Sequence, residues 1–518
     1  MNSLFSKTIF SAIVAVIFLQ PPARAQFLDQ IGVTALRAVT TNVNGAGIRV
    51  AQPEGQVAIS PPTFEINPAN VGQPPGRFNY LSADGATNVY PNSLGANSWH
   101  ADGVGQIFFG RPGGIATNVA QVNNYDADFY VTNYVFNLAP ALGEPVVNQS
   151  YTFGVLTVGD QEFVDSAYDD YAETFGTLFV SAVDNGGNVH APGTAYNCIA
   201  VAAYGGASSI GPTVDNGRCK PDLTAPSAAT SYSTPEVSGS VVLLMQAALR
   251  GDGGGDTNSA SDLRTIKALL LNGAVKPLGW TNGNSTPLDA RYGAGVVNVL
   301  NAYEQLAGGK NGPTVATNVP LGGAHPPVAG TNFIAALSGW DFNTNSTTAT
   351  NDCVNHYFFN VTNGIGTATL GWNRQLGATN INDLDLFLFN AANSNLVACS
   401  TSRVDNVEHI YLPSLAAGRY DLQVLKHGGT NAVSDAETYA LAWEFISPTL
   451  QLAKSGTNAA VTWPVYPAGF LVEARTNLLG GAWSTNNLPA FVITNDQNRI
   501  ALNPTNSAQF FRLRRPNF

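Results

Sequence analysis

Lys220-Pro221-Asp222-Leu223-Thr224-Ala225-Pro226, followed by Ala229-Thr230-Ser231-Tyr232-Ser233-Thr234-Pro235-Glu236-Val237-Ser238-Gly239, sets a serine where an apolar helix begins. A serine acting as nucleophile needs an exposed hydroxyl and backbone N–H groups aimed at developing negative charge, and a helix N-terminus supplies both. Pro235 is expected within the first helical turn, with Val241–Met245 as the buried helix behind it. Taken alone, such a serine is an ordinary helix cap. Acyl transfer further requires a base, a group that orients the base, and donors for an oxyanion. Of the six histidines, His325 falls in a Gly- and Pro-rich stretch and His356, His409 and His427 in a region of strands only, so His100 and His190 remain on the serine's side of the chain. Asn185-Gly186 closes an apolar run, as a plain turn would, and Glu54 is the single carboxylate of residues 45–55.

In company these segments resemble the subtilase family of serine proteases. The family's nucleophile motif, Gly-Thr-Ser-Met-Ala-x-Pro-His-Val-Ala-Gly, is matched by Thr230, Ser231, Pro235, Val237 and Gly239, with Ala229 for the first Gly and Glu236 for the His. Ile266–Leu270 and Tyr292-Gly293-Ala294-Gly295-Val296-Val297-Asn298 resemble its closing helix and the sequence after it. The resemblance implies Ser231 as nucleophile. Gly176–Gly187 is similar to the family strand ending in Ala-Ala-Gly-Asn, which implies Asn185 as side-chain oxyanion donor beside the Ser231 N–H. Asn97-Ser98-Trp99-His100-Ala101-Asp102-Gly103-Val104 resembles the family's Asn-Ser-His-Gly-Thr-His-Val with one residue inserted, implying His100 as general base. His190 falls where the family has no catalytic group. The family's acid is an Asp at a strand end, and Gly45–Gly55 offers Glu54 in its place, one methylene longer. Val147–Tyr151 resembles one wall of the primary specificity pocket, so Ser150, Tyr151, Gly154, Ala182 and Asp184 are expected to face substrate. Asp184 stands where the family has Gly, and its charge is expected to favour basic residues before the scissile bond.

The elements that must position these groups are legible as patterns. At 518 residues the chain exceeds one ordinary core. From about residue 45 to 305, apolar runs such as Gly47–Ala51, Thr177–Ala182 and Ile199–Ala203 alternate with helical patterns such as Val237–Leu249, Asp262–Leu271 and Val296–Leu306. That alternation predicts an α/β domain, a mostly parallel sheet with helices on both faces. Residues 307–334 read as a linker. Strand patterns at Tyr357–Val361, Asp385–Phe389, His409–Leu412, Tyr420–Leu425 and Tyr439–Phe445 then predict a β-sandwich over 335–446, and 447–518 a small immunoglobulin-like module. Two all-β domains therefore follow the catalytic domain, 26–306. Lys7, the apolar run to Leu19 and Ala23-Arg24-Ala25 read as a signal peptide, 1–25, so the chain is expected to be secreted without a transmembrane anchor. Residues 26–45 are too few for a separately folded inhibitory pro-domain. Four cysteines in an exported chain suggest two disulfides, grouped by position as Cys198 with Cys219 and Cys353 with Cys399, although three connectivities exist. The net charge of −11 excludes a nucleic-acid partner on electrostatic grounds.

Residues 335–446 also resemble the pre-peptidase C-terminal sandwich found behind secreted bacterial proteases, through Asn382–Leu388, Asp405–His409 and Ala417–Tyr420. That implies export to the extracellular space or cell envelope of a bacterium. Asp383 and Asp385 alternate with apolar residues and either bind calcium or are simply wetted; the chemistry itself requires no cofactor. Polypeptides are the expected substrates, and oligomeric state is not legible. Two function classes follow: an endopeptidase using Glu54, His100 and Ser231, or a subtilase scaffold retained for extracellular binding or adhesion, favoured by the absent Asp and by Ala229. A serine-carboxyl peptidase is disfavoured by the presence of His100.

Overall fold

The structure is a computed structural model that describes residues 24–518, apart from 330–333 and short stretches of the last module (447, 456–457, 465–469, 478–479, 481, 487, 495–496, 503–508 and 515–518). The expected signal peptide lies almost wholly outside the described residues.

Ten strands precede residue 230: β1 Arg49–Glu54, β2 Thr63–Glu65, β3 Phe78–Ser82, β4 Gly85–Thr87, β5 Ala96–Asn97, β6 Gln121–Asp126, β7 Val146–Gln149, β8 Leu178–Ala182, β9 Ile199–Tyr204 and β10 Leu223–Pro226. Eight form one sheet in the order β10-β9-β8-β7-β1-β6-β3-β4, parallel except at the β3–β4 hairpin. The helices are α1 Arg24–Gln30, α2 Val33–Val39, α3 Trp99–Phe108, α4 Ala127–Tyr130, α5 Val158–Phe175, α6 Thr230–Arg250, α7 Thr257–Ser261, α8 Leu263–Asn272 and α9 Val299–Ala307. Because successive strand residues face opposite sides, Val50, Val146 and Leu178 pack with α6, α8 and α9, whereas Ala51, Val147 and Phe179 pack with α4 and α5. Both faces are thereby covered, as the unbroken apolar strands require.

The C-terminal half is antiparallel. β11 Val315–Pro320, β13 Asn351–Val361, β15 Leu384–Asn390, β16 Leu396–Ser400 and β18 Gly418–Lys426 form one sheet; β12 Ser338–Ser346, β14 Gly364–Trp372, β17 Val407–Leu415 and β19 Ala436–Ile446 form a second. Inward residues of both, among them Tyr357, Leu386, Leu422, Leu370 and Trp443, share one core. The stretch read as a linker is thus partly structural, since β11 pairs with β13 from Val315↔His356 to Pro320↔Asn351. Its alternating exposure explains why no apolar run betrayed it. Beyond residue 447 the described strands form a four-stranded and a two-stranded sheet around Val461, Trp463 and Val472.

The two halves share a core. Trp340, Val407, Ala440 and Ala442 belong to the same buried cluster as Ile266, Leu270, Leu300 and Leu306. Polar groups close the seam. The Trp340 indole donates to the Leu306 carbonyl (3.1 Å), Asn272 Oδ1 accepts from Thr367 and Thr369 (3.0 Å each), and Arg374, 1% exposed, pairs with Asp169 at 2.8 Å. Lys276 Nζ lies 2.9 Å from His409 Nε2, and burial together with that ammonium holds His409 far below the usual imidazole range.

The disulfide expectation is corrected: all four cysteines are free thiols. Cys198 packs with the α5 side of the sheet and Cys219 with the α6 side, so their side chains face opposite layers. Cys353 on β13 and Cys399 on β16 are separated by β18 and β15. Three strand spacings come to about 14 Å, twice the reach of a disulfide.

Candidate active site

The site is assembled at the carboxyl ends of the central strands. β1 ends in Gln52-Pro53-Glu54, and alternation puts Gln52 and Glu54 on one face, toward α3. Ser98 caps α3, its hydroxyl accepting from the Ala101 N–H at 3.2 Å, and this sets His100 in the first turn facing the strand end. His100 Nδ1 lies 2.7 Å from Glu54 Oε2. The other carboxylate oxygen, Oε1, accepts from Gln52 Nε2 at 2.7 Å, while the same amide donates to the Ala101 carbonyl at 3.0 Å. Glu54 is 1% exposed and the His100 side chain 18%. Burial alone would lower the His100 pKa, but the attraction of the Glu54 carboxylate and its hydrogen bond outweigh that and leave it raised.

The serine lies at the start of α6, which begins at Thr230, so Pro235 falls in the second turn rather than the first. A proline there gives no N–H to the carbonyl four residues back, which is that of Ser231. The structure fills this gap with the Ser150 hydroxyl, which donates to the Ser231 carbonyl at 2.9 Å. Asn148 Nδ2 in turn donates to Ser150 Oγ (3.0 Å), and Asn148 Oδ1 accepts from Ser238 Oγ (2.8 Å). The helix break is therefore what ties the backbone at Ser231 to the end of β7. Ser231 Oγ itself is directed at the Ser150 carbonyl, 3.4 Å away. Lys220 and Lys267 both reach Asp222 (2.7 and 3.2 Å), locking β10 to α8 beneath the site. The Lys-Pro-Asp run is thus a buried clamp.

Ala229 offers α6 no side-chain cap. Asn185 replaces it: its Oδ1 accepts from the Thr230 N–H at 2.9 Å and the Thr230 hydroxyl at 3.1 Å. With the oxygen so engaged, the Nδ2 group of this exposed residue is turned away from Thr230, and the Ser231 N–H finds no protein acceptor among the described residues. The Ser231 N–H is thus open at the start of α6, where an oxyanion would need a donor.

The remaining candidates surround this point unequally. Ser150 is buried and bonded as above; Gly154, at φ +65°, has open space where a side chain would be. Tyr151 is turned into the core, its hydroxyl accepting from Gln149 Nε2 (2.8 Å) and lying 3.3 Å from that of Tyr168, and Ala182 is buried at the end of β8. Asp184 occupies a left-handed conformation, φ +86°, with its carboxylate held by His190 Nδ1 (2.8 Å), the Asn185 N–H (2.6 Å) and the Thr152 hydroxyl (3.3 Å). Despite burial, those bonds, His190's first among them, hold its pKa below the usual carboxylate range. His190 N–H to Val183 O (3.3 Å) and Phe153 N–H to Ala191 O (2.8 Å) tie the Asp184 turn to the segment after β7.

Sequence reasoning missed Gln52, the pairing of His190 with Asp184 and the aromatic flank. Exposed Trp99 meets the His100 ring edge-on at 5.7 Å, and Tyr232 lies 6.3 Å from it on the other element. Gly103 leaves room for Tyr232, since a Cβ there would stand 3.0 Å from its ring. The i, i+2 spacing of Gln52 and Glu54 on one strand was the available signal for Gln52.

Residues 142–295, which span Ser150, Asn185 and Ser231, match the model of the subtilase family. That segment is similar to the subtilase family, one of serine peptidases acting on peptide substrates. Solved structures similar to the chain include a mutant of the protease domain of PatA (22% identity, 52% of this chain and 98% of that chain, TM-score 0.36), the prenylagaramide maturation protease PagA (21%, 54% and 99%, 0.36) and the PatG macrocyclase in complex with peptide (18%, 54% and 97%, 0.39). No curated protein matches the chain. Among the described residues, no helix is long and apolar enough to cross a membrane.

Proposed function

We propose that the chain is an exported serine endopeptidase in which Ser231 attacks a peptide carbonyl, His100 takes and returns the proton, Glu54 orients His100, and Asn185 with the Ser231 N–H binds the oxyanion. The observation that carries this reading is the 2.7 Å contact between His100 Nδ1 and Glu54 Oε2, with the opposite carboxylate oxygen fixed by Gln52. A carboxylate so held keeps the proton on Nδ1 and leaves Nε2 as the basic nitrogen. Catalysis then requires Ser231 Oγ to turn from the Ser150 carbonyl to His100 Nε2, a tightening that substrate-free enzymes commonly await. Attack forms the tetrahedral oxyanion; its collapse, with proton return from His100, releases the amine and leaves an acyl-enzyme that water hydrolyses by the same path. The residue before the scissile bond enters between Ser150–Gly154 and Ala182–Asp184. Export rests on the N-terminal sequence pattern.

A fluorophosphonate probe tests the nucleophile. Labelling mapped to Ser231 and abolished in Ser231→Ala, together with loss of casein hydrolysis, is the expected result. An intact fold without labelling favours the binding-protein alternative.

A further inference from the structure

We propose that Asp383, Asp385 and His427 form a site for one divalent transition-metal ion with the donor preference of zinc, on the sandwich and apart from Ser231. Each residue offers a ligand atom, and the three atoms lie within 4.8 Å of one another. The fold brings them together by register. β15 pairs with β18 at Leu384↔Lys426, so Asp383 stands opposite His427, whose N–H donates to the Asp383 carbonyl at 3.0 Å. Asp385 lies two residues on, on the same side of the strand, and its Oδ2 is 2.9 Å from His427 Nε2.

The arrangement leaves one carboxylate oxygen without a partner. Asp383 Oδ1 is buried and accepts no hydrogen bond, which for a carboxylate oxygen beside a second carboxylate is costly. A protonated His427 serves Asp385 and leaves that oxygen orphaned; the exposed Arg403 acts on Asp383 only through space. One cation bridging the three groups answers all of these. An imidazole nitrogen with two carboxylate oxygens is the donor set of zinc and its neighbours, whereas calcium takes six to eight oxygens. Buried Asp352, with one oxygen 3.7 Å from His427 Nδ1 and its carboxylate fixed by the N–H groups of Gly322 and Gly428 (2.8 Å each), stands where a metal-bound histidine keeps its outer partner. Ligation would pin the chain after β18 to β15.

The test uses the full chain, stripped by a chelator and titrated with Co²⁺ by visible absorption and with Zn²⁺ by calorimetry. One equivalent of Co²⁺ is expected to give a d–d band that Zn²⁺ displaces and that His427→Ala and the near-isosteric Asp383→Asn both lose, with near-ultraviolet circular dichroism unchanged. Asp352→Asn is expected to weaken Zn²⁺ about 10- to 100-fold, as loss of an outer partner does. If no single-equivalent binding occurs, or the Co²⁺ band persists in Asp383→Asn, or Ca²⁺ competes as well as Zn²⁺, the assignment fails. Should His427→Ala unfold, Asp383→Asn decides alone. None of these readouts depends on peptidase activity.

Discussion

Replacing Glu54 by Gln probes the least ordinary part of the site, and the structure dictates how the amide will sit. Gln52 Nε2 donates both to Glu54 Oε1 and to the Ala101 carbonyl. In Glu54→Gln that donor still needs an acceptor, so the new amide turns its oxygen to Gln52 and its NH₂ to His100 Nδ1. The imidazole must then accept at Nδ1 and carry its proton on Nε2, facing Ser231, where a lone pair is required. Enforcing this tautomer in a serine protease costs roughly 10⁴ in turnover, about 5 kcal/mol of barrier. Steady-state hydrolysis should therefore show kcat down by about that factor with KM little changed. A second change checks the cause: with Gln52→Met added, nothing pins the amide, it can turn its oxygen to Nδ1–H, and the double variant should be more active than Glu54→Gln alone. The pH profile supplies a third reading. Glu54 raises the His100 pKa, and the base works only when neutral, so the wild-type rate falls as pH drops through that raised value. Without the charge, the acid limb of the residual activity should move to lower pH. Turnover of Glu54→Gln within about threefold of wild type, where roughly 10⁴ is expected, refutes the orienting role. So does a double variant no better than the single one.

Asn185→Ala removes the proposed oxyanion donor and the cap of α6 together, and is expected to lower kcat about 10²- to 10³-fold; a loss confined to KM would contradict the donor role. Peptide-library profiling should find basic residues favoured before the scissile bond, and the preference should weaken in Asp184→Asn. A profile dominated by large apolar residues in both proteins excludes that role for Asp184. Alkylation of the unfolded protein without reductant should modify all four cysteines, and mass spectrometry finding two or fewer modified would restore the disulfides.

Much of the site was readable because its groups sit where local signals are strong. Glu54 ends a strand, Asn185 follows one, and Ser231 opens a helix, each marked by a change of period in the apolar pattern. What escaped depends on contacts across the chain. Pro235 in the second turn of α6 looks forbidden until the Ser150 hydroxyl, 81 residues away, is seen to fill the vacant bond. The cysteines pair on paper because sequence proximity carries no information about which sheet face a side chain takes. β11 was lost in a stretch of Asn, Thr and Gly because an edge strand with one wet face shows no apolar run.

The shared core beneath the site has a consequence for synthesis. The outward face of α8 is complete by residue 272, yet its cover comes from β14 and β19, the last of which ends at Ile446. Emerging from the ribosome in order, the segment holding Ser231 must wait for the sandwich before its scaffold closes. Arrival of the C-terminal half thus acts as a clock on the N-terminal half, delaying closure of that scaffold until Ile446 has been made. Trimming that spares this clock must fall beyond residue 446.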